Sequence, residues 1–198
     1  MDATNNRIDV NFHRTTKNKH LIVIDPGHGG KDPGAMRGSV VEKKIVLSVG
    51  TFLKEELSKD FNVVMTRDSD VFVVLSQRPK MANKSNAKLF VSIHANASES
   101  KNANGVEVFY FSKKSSPYAE RIANFENTIG EQYGDSSDEI IQISGELAYK
   151  KNQENSIRLA RKIAENISSG LALKNGGVHG ANFAVLRGFN GTGVLIEL

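Results

Sequence analysis

The sequence predicts an α/β fold, a single three-layer α/β/α domain built on a twisted, mostly parallel sheet of about six strands. Short apolar runs of strand type alternate with longer stretches of helical periodicity over residues 21–93, in the order strand, helix, strand, helix, strand. Crossover connections of this kind are almost always right-handed, and the strands that they join are parallel. A length of 198 residues suits one domain with a sizeable core.

The first predicted strand, residues 21–24, leads into the segment Asp-Pro-Gly-His-Gly-Gly. Pro26 fixes its own φ and biases Asp25 away from the helical region, while the glycines permit positive φ and a close approach to the backbone. The segment therefore neither continues the strand nor starts a helix. His28 is expected at the carboxyl end of a buried strand, where open α/β sheets bind their ligands.

The helix that follows begins near Ser39, which fits an N-cap with Glu42 three residues later. Glu42 is therefore either a capping-box carboxylate or a site residue, and the pattern leaves both roles open. The predicted elements of this half, after the first strand, are a helix at 41–57, a strand at 61–66, a helix at 75–84 and a strand at 89–93.

A second histidine, His94, follows the last of these strands just as His28 follows the first. Because the strands are expected to be parallel, their carboxyl ends lie at one edge of the sheet. One histidine beyond a strand is usually structural or solvated. Two in matching positions indicate a shared site.

The second half of the sequence adds strands and an acidic segment. Glu107 lies in an alternating strand at 105–111 and is interpreted as a residue on a solvated or polar-lined face. Residues 125–153 are interpreted as an insertion over the sheet edge. The remaining predicted elements are a helix from 115 to 127, an amphipathic helix at 138–150 within the insertion, a helix at 154–173, and apolar runs at 183–186 and 194–198.

Composition narrows the class of protein. The chain has no cysteine, which excludes disulfides and thiolate metal ligands. Its net charge of +4 is scattered without interleaved aromatic residues, which speaks against nucleic-acid binding. No apolar run reaches the roughly 20 residues of a membrane span, and no secretory signal is visible. Residues 1–19 are expected to be a linker or a trimmed remnant, and residues 20–198 one catalytic domain.

The histidines and glutamates together indicate metal-assisted hydrolysis. Two imidazoles and a carboxylate, with a fourth position left to water, form a common catalytic zinc set, and His28, His94 and Glu42 could supply it. Glu197 lies in an otherwise apolar strand, where a carboxylate needs a partner, and could act as the proton carrier. A P-loop is excluded because Asp25 and Asp32 stand where Gly and Ser or Thr belong. No Gly-x-Ser-x-Gly nucleophile elbow is present.

Four motifs, in this order and spacing, resemble the zinc-dependent N-acetylmuramoyl-L-alanine amidases of bacterial cell walls. They are IDPGHGGKDPGA at 24–35, Glu42, SIHANA at 92–97 and VLIE at 194–197. The resemblance implies one zinc ion per chain with His28, Glu42 and His94 as ligands, and Glu197 as the catalytic acid and base. It implies cleavage of the amide between N-acetylmuramic acid and the L-alanine of the stem peptide, in the periplasm or outside the cell.

The acidic insertion resembles the regulatory segment of the division-associated branch of this family, where a helix blocks the site and lends a glutamate to zinc. Glu139 and Glu146 are the candidates for that glutamate here, and an activator protein would displace the insertion. Arg67 and Arg78 match arginines of the family and are expected to form structural ion pairs. The sequence stops one residue after Glu197, whereas family members continue, so part of the substrate wall is expected to be missing.

Two other functions remain open at this point. One is a zinc carboxypeptidase-like hydrolase that cleaves peptide bonds of the stem peptide. The other is a peptidoglycan-binding module with an inactive site, although the complete set of two histidines and two glutamates argues against it.

Overall fold

A computed structural model describes residues 19–96, 104–132 and 139–198, without the side chains of 129–131 and 139–150. In chain order the elements are β1 (Leu21–Pro26), β2 (Met36–Arg37), β3 (Val40–Val41), α1 (Glu42–Leu57), β4 (Asn62–Met65), α2 (Gln77–Lys84), β5 (Leu89–His94), β6 (Val106–Phe111), α3 (Pro117–Gln132), α4 (Glu139–Gly170), β7 (Asn175–Ala181) and β8 (Thr192–Glu197).

The main sheet has six strands in the order β4-β1-β5-β8-β6-β7. All neighbouring pairs are parallel except β6 with β8. The predicted fold class is therefore confirmed, including the number of strands and the mostly parallel sheet. The short strands β2 and β3 form a separate hairpin that leads into α1.

Helices cover both faces of the sheet and make the three layers. On one face, Val46 of α1 and Ala160 and Ala164 of α4 are buried against alternate strand residues. On the other face, Ala82 of α2 and Ala119 of α3 are buried with the intervening strand residues. This alternation is what a sheet with both faces covered requires, since successive side chains point to opposite faces.

Two elements of the second half differ from the sequence-based expectation. The segments predicted as separate helices at 138–150 and 154–173 form the single helix α4, because residues 151–153 between them, Lys-Asn-Gln, include no glycine or proline that would end a helix. Strand β7, with three glycines, has little strand propensity of its own and is formed by pairing with β6. The apolar run at 183–186 lies mostly in a turn after β7.

Three central strands bring the predicted site residues together. His28 follows β1, His94 ends β5, and Glu197 ends β8, where it is the register partner of His94. The carboxyl ends of these parallel strands meet at one edge of the sheet, as the sequence predicted. In the described part of the chain, no helix combines the length and the apolar character that a membrane crossing requires.

Candidate metal centre

The loop after β1 holds His28 in a backbone conformation that few side chains adopt. His28 has a φ of 59°, and Gly29 and Gly30 also have positive φ. A tight turn closes the loop, since the backbone N–H of Gly29 donates to the carbonyl of Asp32 and the reverse bond also forms. The glycines in this segment are therefore required by the turn that presents the histidine.

Two buried arginines donate hydrogen bonds to the backbone of the same loop. Arg78 is 1% exposed and donates to the Asp25 carboxylate at 2.9 Å and to the carbonyls of Pro26 and His28 at 2.9 and 3.0 Å. Arg67 donates to the carbonyl of Gly27 at 2.6 Å. Arg78 forms the expected ion pair with Asp25, whereas Arg67 acts mainly through carbonyl oxygens.

Glu42 is the first residue of α1, and the capping-box interpretation is wrong. The N-cap is Val41, and among the described residues no side chain caps the helix. The Glu42 carboxylate instead accepts backbone N–H groups from Ala35 at 2.8 Å and from Ala95 at 2.9 Å. These two bonds aim the carboxylate at the histidines.

His28, His94 and Glu42 converge on one point. Oε1 of Glu42 lies 3.0 Å from Nε2 of His28 and 3.3 Å from Nδ1 of His94, and the two rings are 4.8 Å apart. On its other side His28 places Nδ1 2.9 Å from Asp32 Oδ2, which assigns the proton to Nδ1 and leaves the Nε2 lone pair for a ligand.

Glu126 of α3 also reaches this point. Its Oε2 lies 3.3 Å from Nδ1 of His94 and 3.6 Å from Nε2 of His28. One ligand atom from each of His28, His94 and Glu126 lies within 4.8 Å of the others, which makes them a possible metal-binding group.

Sequence reasoning did not single out Glu126, although a signal was present. Ala119 and Ala123 are buried, and Glu126 follows them at the i, i+4, i+7 spacing that lines one face of a helix. An acid on the inward face of a helix needs a partner in the same way as one in an apolar strand. The side chains of Glu139 and Glu146 lie outside the described residues, so their role as zinc ligands stays a prediction.

The charges at the centre reinforce one another. Burial alone would lower the pKa of His94, but Glu126 and Glu42 raise it well above its ordinary value. Burial also acts to lower the pKa of His28, and Asp32 and Glu42 outweigh it. The pKa of Glu42 is strongly lowered because contacts with both histidines outweigh its burial. The carboxylates therefore favour positive charge at this point, which a metal ion held by neutral imidazoles would supply.

Glu197 has the properties of a proton carrier. It is 4% exposed, and within the described part of the chain its Oε2 has no hydrogen-bond partner. Burial, together with Glu126 and Glu42, raises the pKa of Glu197 to about 8. A carboxyl that titrates close to neutral pH can both accept and return a proton during a reaction.

The donor set fits a zinc ion. Nε2 of His28 and Nδ1 of His94 are buried and have no hydrogen-bond partner among the described residues, although both lie close to carboxylates. Buried polar atoms without partners are uncommon and call for an explanation. Two imidazole nitrogens with glutamate oxygens are a typical zinc ligand set.

Comparison with known proteins places this geometry in a family. The sequence model of N-acetylmuramoyl-L-alanine amidase matches residues 22–198. The chain belongs to this family. It is 33% identical over 184 residues to the N-acetylmuramoyl-L-alanine amidase AmiC of Neisseria meningitidis, covering 89% of this chain and 44% of that protein. The chain thus spans less than half the length of that relative.

Solved structures of the family share the fold. An N-acetylmuramoyl-L-alanine amidase from Clostridium difficile superposes with a TM-score of 0.66 at 29% identity, covering 90% of this chain and 78% of that one. The CwlD amidase of Clostridioides difficile, solved in complex with the GerS lipoprotein, gives a TM-score of 0.65 at 26% identity, covering 91% and 81%.

Proposed function

We propose that this chain is a zinc-dependent N-acetylmuramoyl-L-alanine amidase. It hydrolyses the amide between N-acetylmuramic acid and the L-alanine that begins the stem peptide of peptidoglycan. The observation that supports this most directly is the convergence of two nitrogens, from His28 and His94, that have no hydrogen-bond partner in the described part of the chain and lie beside a buried, protonatable Glu197. The match to the amidase family over residues 22–198 supports the choice of substrate.

In this proposal His28, Glu42 and His94 hold one zinc ion per chain. When bound, zinc supplies Lewis acidity that polarises the scissile carbonyl and lowers the pKa of water. Glu197 takes a proton from the attacking water and gives it to the leaving nitrogen. Asp32 keeps His28 in the tautomer that leaves Nε2 available. Arg67 and Arg78 keep the His28 loop in place.

Digestion of purified peptidoglycan tests this function. The expected products carry a new amino-terminal L-alanine, and metal analysis should find about one zinc per chain. Shortened stem peptides without new L-alanine ends would instead support the carboxypeptidase-like alternative. Binding of peptidoglycan without any cleavage, by protein that contains zinc, would indicate an inactive binding module.

We further infer that the amidase is autoinhibited. Glu126 lies at 3.3 Å from His94 Nδ1 and competes with substrate for the space beside the histidines. The segment 125–153, predicted as a regulatory insertion, begins next to this residue. An activator protein would release the block by acting on this segment. The CwlD amidase was solved in complex with the GerS lipoprotein, which supports a protein partner for this chain.

Peptidoglycan as substrate implies a place of action outside the cytoplasmic membrane, in the periplasm or at the cell surface. The proposed biological role is remodelling of the cell wall or separation of daughter cells. Fractionation of cells that express the full-length protein tests this localisation, and an exclusively cytoplasmic protein would contradict it.

A further inference from the structure

A second group of polar side chains lies beside Glu197 on the same face of the sheet. Glu107 of β6 is the register partner of Glu197 across the antiparallel β6/β8 pair, and Glu197 is the partner of His94. Register partners in neighbouring strands point to the same face. His94, Glu197 and Glu107 therefore form a row across three adjacent strands, and Glu107 extends the site away from the metal ligands.

One oxygen of the Glu107 carboxylate accepts a hydrogen bond, and the other is available as an acceptor. The hydroxyl of Tyr118 donates to Oε2 at 2.7 Å. Oε1 lies 3.6 Å from Nε2 of His179, and this nitrogen is 3.0 Å from the carbonyl of Gly176. Among the described residues, Oε1 accepts no hydrogen bond, and the Glu107 side chain is 22% exposed.

The surroundings of Glu107 are shaped around it. A Cβ at Gly176 would collide with Cγ of Glu107, so strand β7 leaves room for this side chain only because it has a glycine there. Partial burial of its hydroxyl and the Glu107 carboxylate raise the pKa of Tyr118 to about 12, which keeps the hydroxyl a donor at neutral pH. The interpretation of Glu107 as a residue on a polar-lined face is thus correct, but the face adjoins the site.

Hydrolysis of the substrate amide creates a cation next to this carboxylate. The carbon–nitrogen bond breaks, a carbon–oxygen bond forms, and the protons of the water end on the nitrogen while the lactyl group leaves as a carboxylate. The free α-amino group of L-alanine has an ordinary pKa near 8 and is an ammonium ion at neutral pH. An ionised carboxylate with a free acceptor oxygen is a strong partner for an ammonium group.

We propose, on the basis of the amidase function above, that Glu107 binds the amino-terminal end of the stem peptide. Oε1 accepts a hydrogen bond from the L-alanine nitrogen of the released peptide, and Tyr118 holds the carboxylate in position through Oε2. The peptide half of the substrate therefore extends from Glu197 towards β6 and β7.

A titration of the zinc-loaded protein with synthetic stem tetrapeptides, in which NMR measures the affinity, tests this subsite. One peptide has a free amino group on L-alanine and the other is N-acetylated. The wild type should bind the free amine about tenfold more tightly, as the loss of one charge-assisted hydrogen bond implies. Glu107→Gln should bind both peptides equally. Glu165→Gln removes the same charge from an exposed position on α4, across the sheet, and should retain the preference.

Tyr118→Phe provides a second variant, in case Glu107→Gln does not fold, and it should reduce the preference in part. Equal affinity of the wild type for the two peptides, or an undiminished preference in Glu107→Gln, would overturn the subsite. If the wild type prefers the free amine yet releases no L-alanine ends from peptidoglycan, the subsite stands and the amidase function fails. If the wild type cleaves peptidoglycan but does not prefer the free amine, the amidase function stands and the subsite fails.

Discussion

The backbone conformation of His28 is stabilised by hydrogen bonds from buried arginines. His28 adopts positive φ, a conformation that costs about 1 kcal/mol or more for a residue with a Cβ. The carbonyls on either side are fixed by Arg67 and Arg78, which compensate for that strain. The position of His28 at the carboxyl end of β1 thus depends on the buried charges of Arg67 and Arg78.

Replacement of the proton carrier should abolish hydrolysis without removing the metal. Glu197→Gln keeps the size of the side chain but can no longer take up a proton from water, so hydrolysis should fall by roughly 10²- to 10⁴-fold. Release of L-alanine ends measures the loss, and metal analysis provides the control. A variant that loses its zinc as well would show that Glu197 has a different role.

The buried pair of Asp25 and Arg78 should make stability depend on acid. Burial acts to raise the pKa of Asp25, but Arg78, Thr66 and Ser92 outweigh it, and the folded pKa lies below the ordinary 3.8. The ionised form is therefore the one that stabilises the fold. Its contribution is complete above about pH 4 and disappears as the pH falls through the lowered pKa.

Asp25→Asn should therefore cost roughly 3–5 kcal/mol at neutral pH, because Arg78 would be left buried without its counter-charge. The difference in unfolding free energy from the wild type should shrink below about pH 4. Urea unfolding at pH 7 and pH 3 measures it. A difference that stays constant across this range would mean that Asp25 is not ionised in the folded protein.

At the residue scale, the sequence predicted the positions of the candidate residues that follow strands, while their roles stay predictions. His28, His94 and Glu197 lie at strand ends, and the strand pattern was enough to place them at one edge. Glu42 was ambiguous because the start of a helix depends on tertiary contacts, here the N–H groups of Ala35 and Ala95. Glu126 could have been predicted only by knowing which face of α3 is buried.

At the scale of elements, α3 is anchored to the domain on both sides of Glu126, the residue proposed to block the site. Ala119 and Ala123 are buried in the core, and Asn127 accepts from the N–H of Ala184 at 2.7 Å and donates to the carbonyl of Asn182. These contacts lie on either side of Glu126. Relief of the proposed block would therefore require a change in the Glu126 side chain or in the chain beyond Asn127, and α3 would stay in place.

Neutralising Glu126, the residue proposed to block the site, should raise hydrolysis. Glu126→Gln keeps the length of the side chain but is a poorer metal ligand, so hydrolysis of purified peptidoglycan should rise roughly tenfold if few molecules of the wild type are open. Glu120→Gln, an exposed position on the same helix, is the matched control. Lower activity with reduced zinc content would identify Glu126 as a structural ligand instead.

Deletion of residues 128–150 tests the remaining part of the proposed inhibitory segment 125–153. This deletion should also raise hydrolysis. It removes the chain that continues from Asn127 and keeps the contacts that anchor α3. The comparison with Glu126→Gln separates the two contributions. Unchanged or lower activity in a deletion variant that is still folded would contradict the inhibitory role of the segment.

The elements themselves were predicted unevenly. The first five strands and helices of the alternating pattern have strong periodicity and short connections, and their bounds agree with the sequence to within two residues. Strand β7 was missed because it is formed by pairing with β6 and has little strand propensity of its own, and the continuity of α4 was missed although residues 151–153 include no helix-breaking residue.

For the molecule as a whole, the metal should be a source of stability. Glu42, Glu126 and Glu197 are brought together around two histidines by distant parts of the chain, and a cation offsets their repulsion. Free zinc at about 100 times its Kd would stabilise the fold by about 2.7 kcal/mol.

Chelation should accordingly lower the melting temperature of the wild type by roughly 5–10 °C for a domain of this size. Scanning calorimetry with and without EDTA measures the shift. His28→Ala, which lacks a ligand, should show little response to the same treatment. Equal shifts in both proteins would mean that the metal binds elsewhere.

The central position of β8 has a consequence for synthesis. This strand lies between β5 and β6, yet it follows every other described strand in the chain. Until residues 192–197 have left the ribosome, the sheet consists of two unconnected halves, and the slot between them is open. A nascent chain would therefore lack Glu197 at the site until β8 has been synthesised and inserted between β5 and β6, and the proposed hydrolysis should appear only after that step.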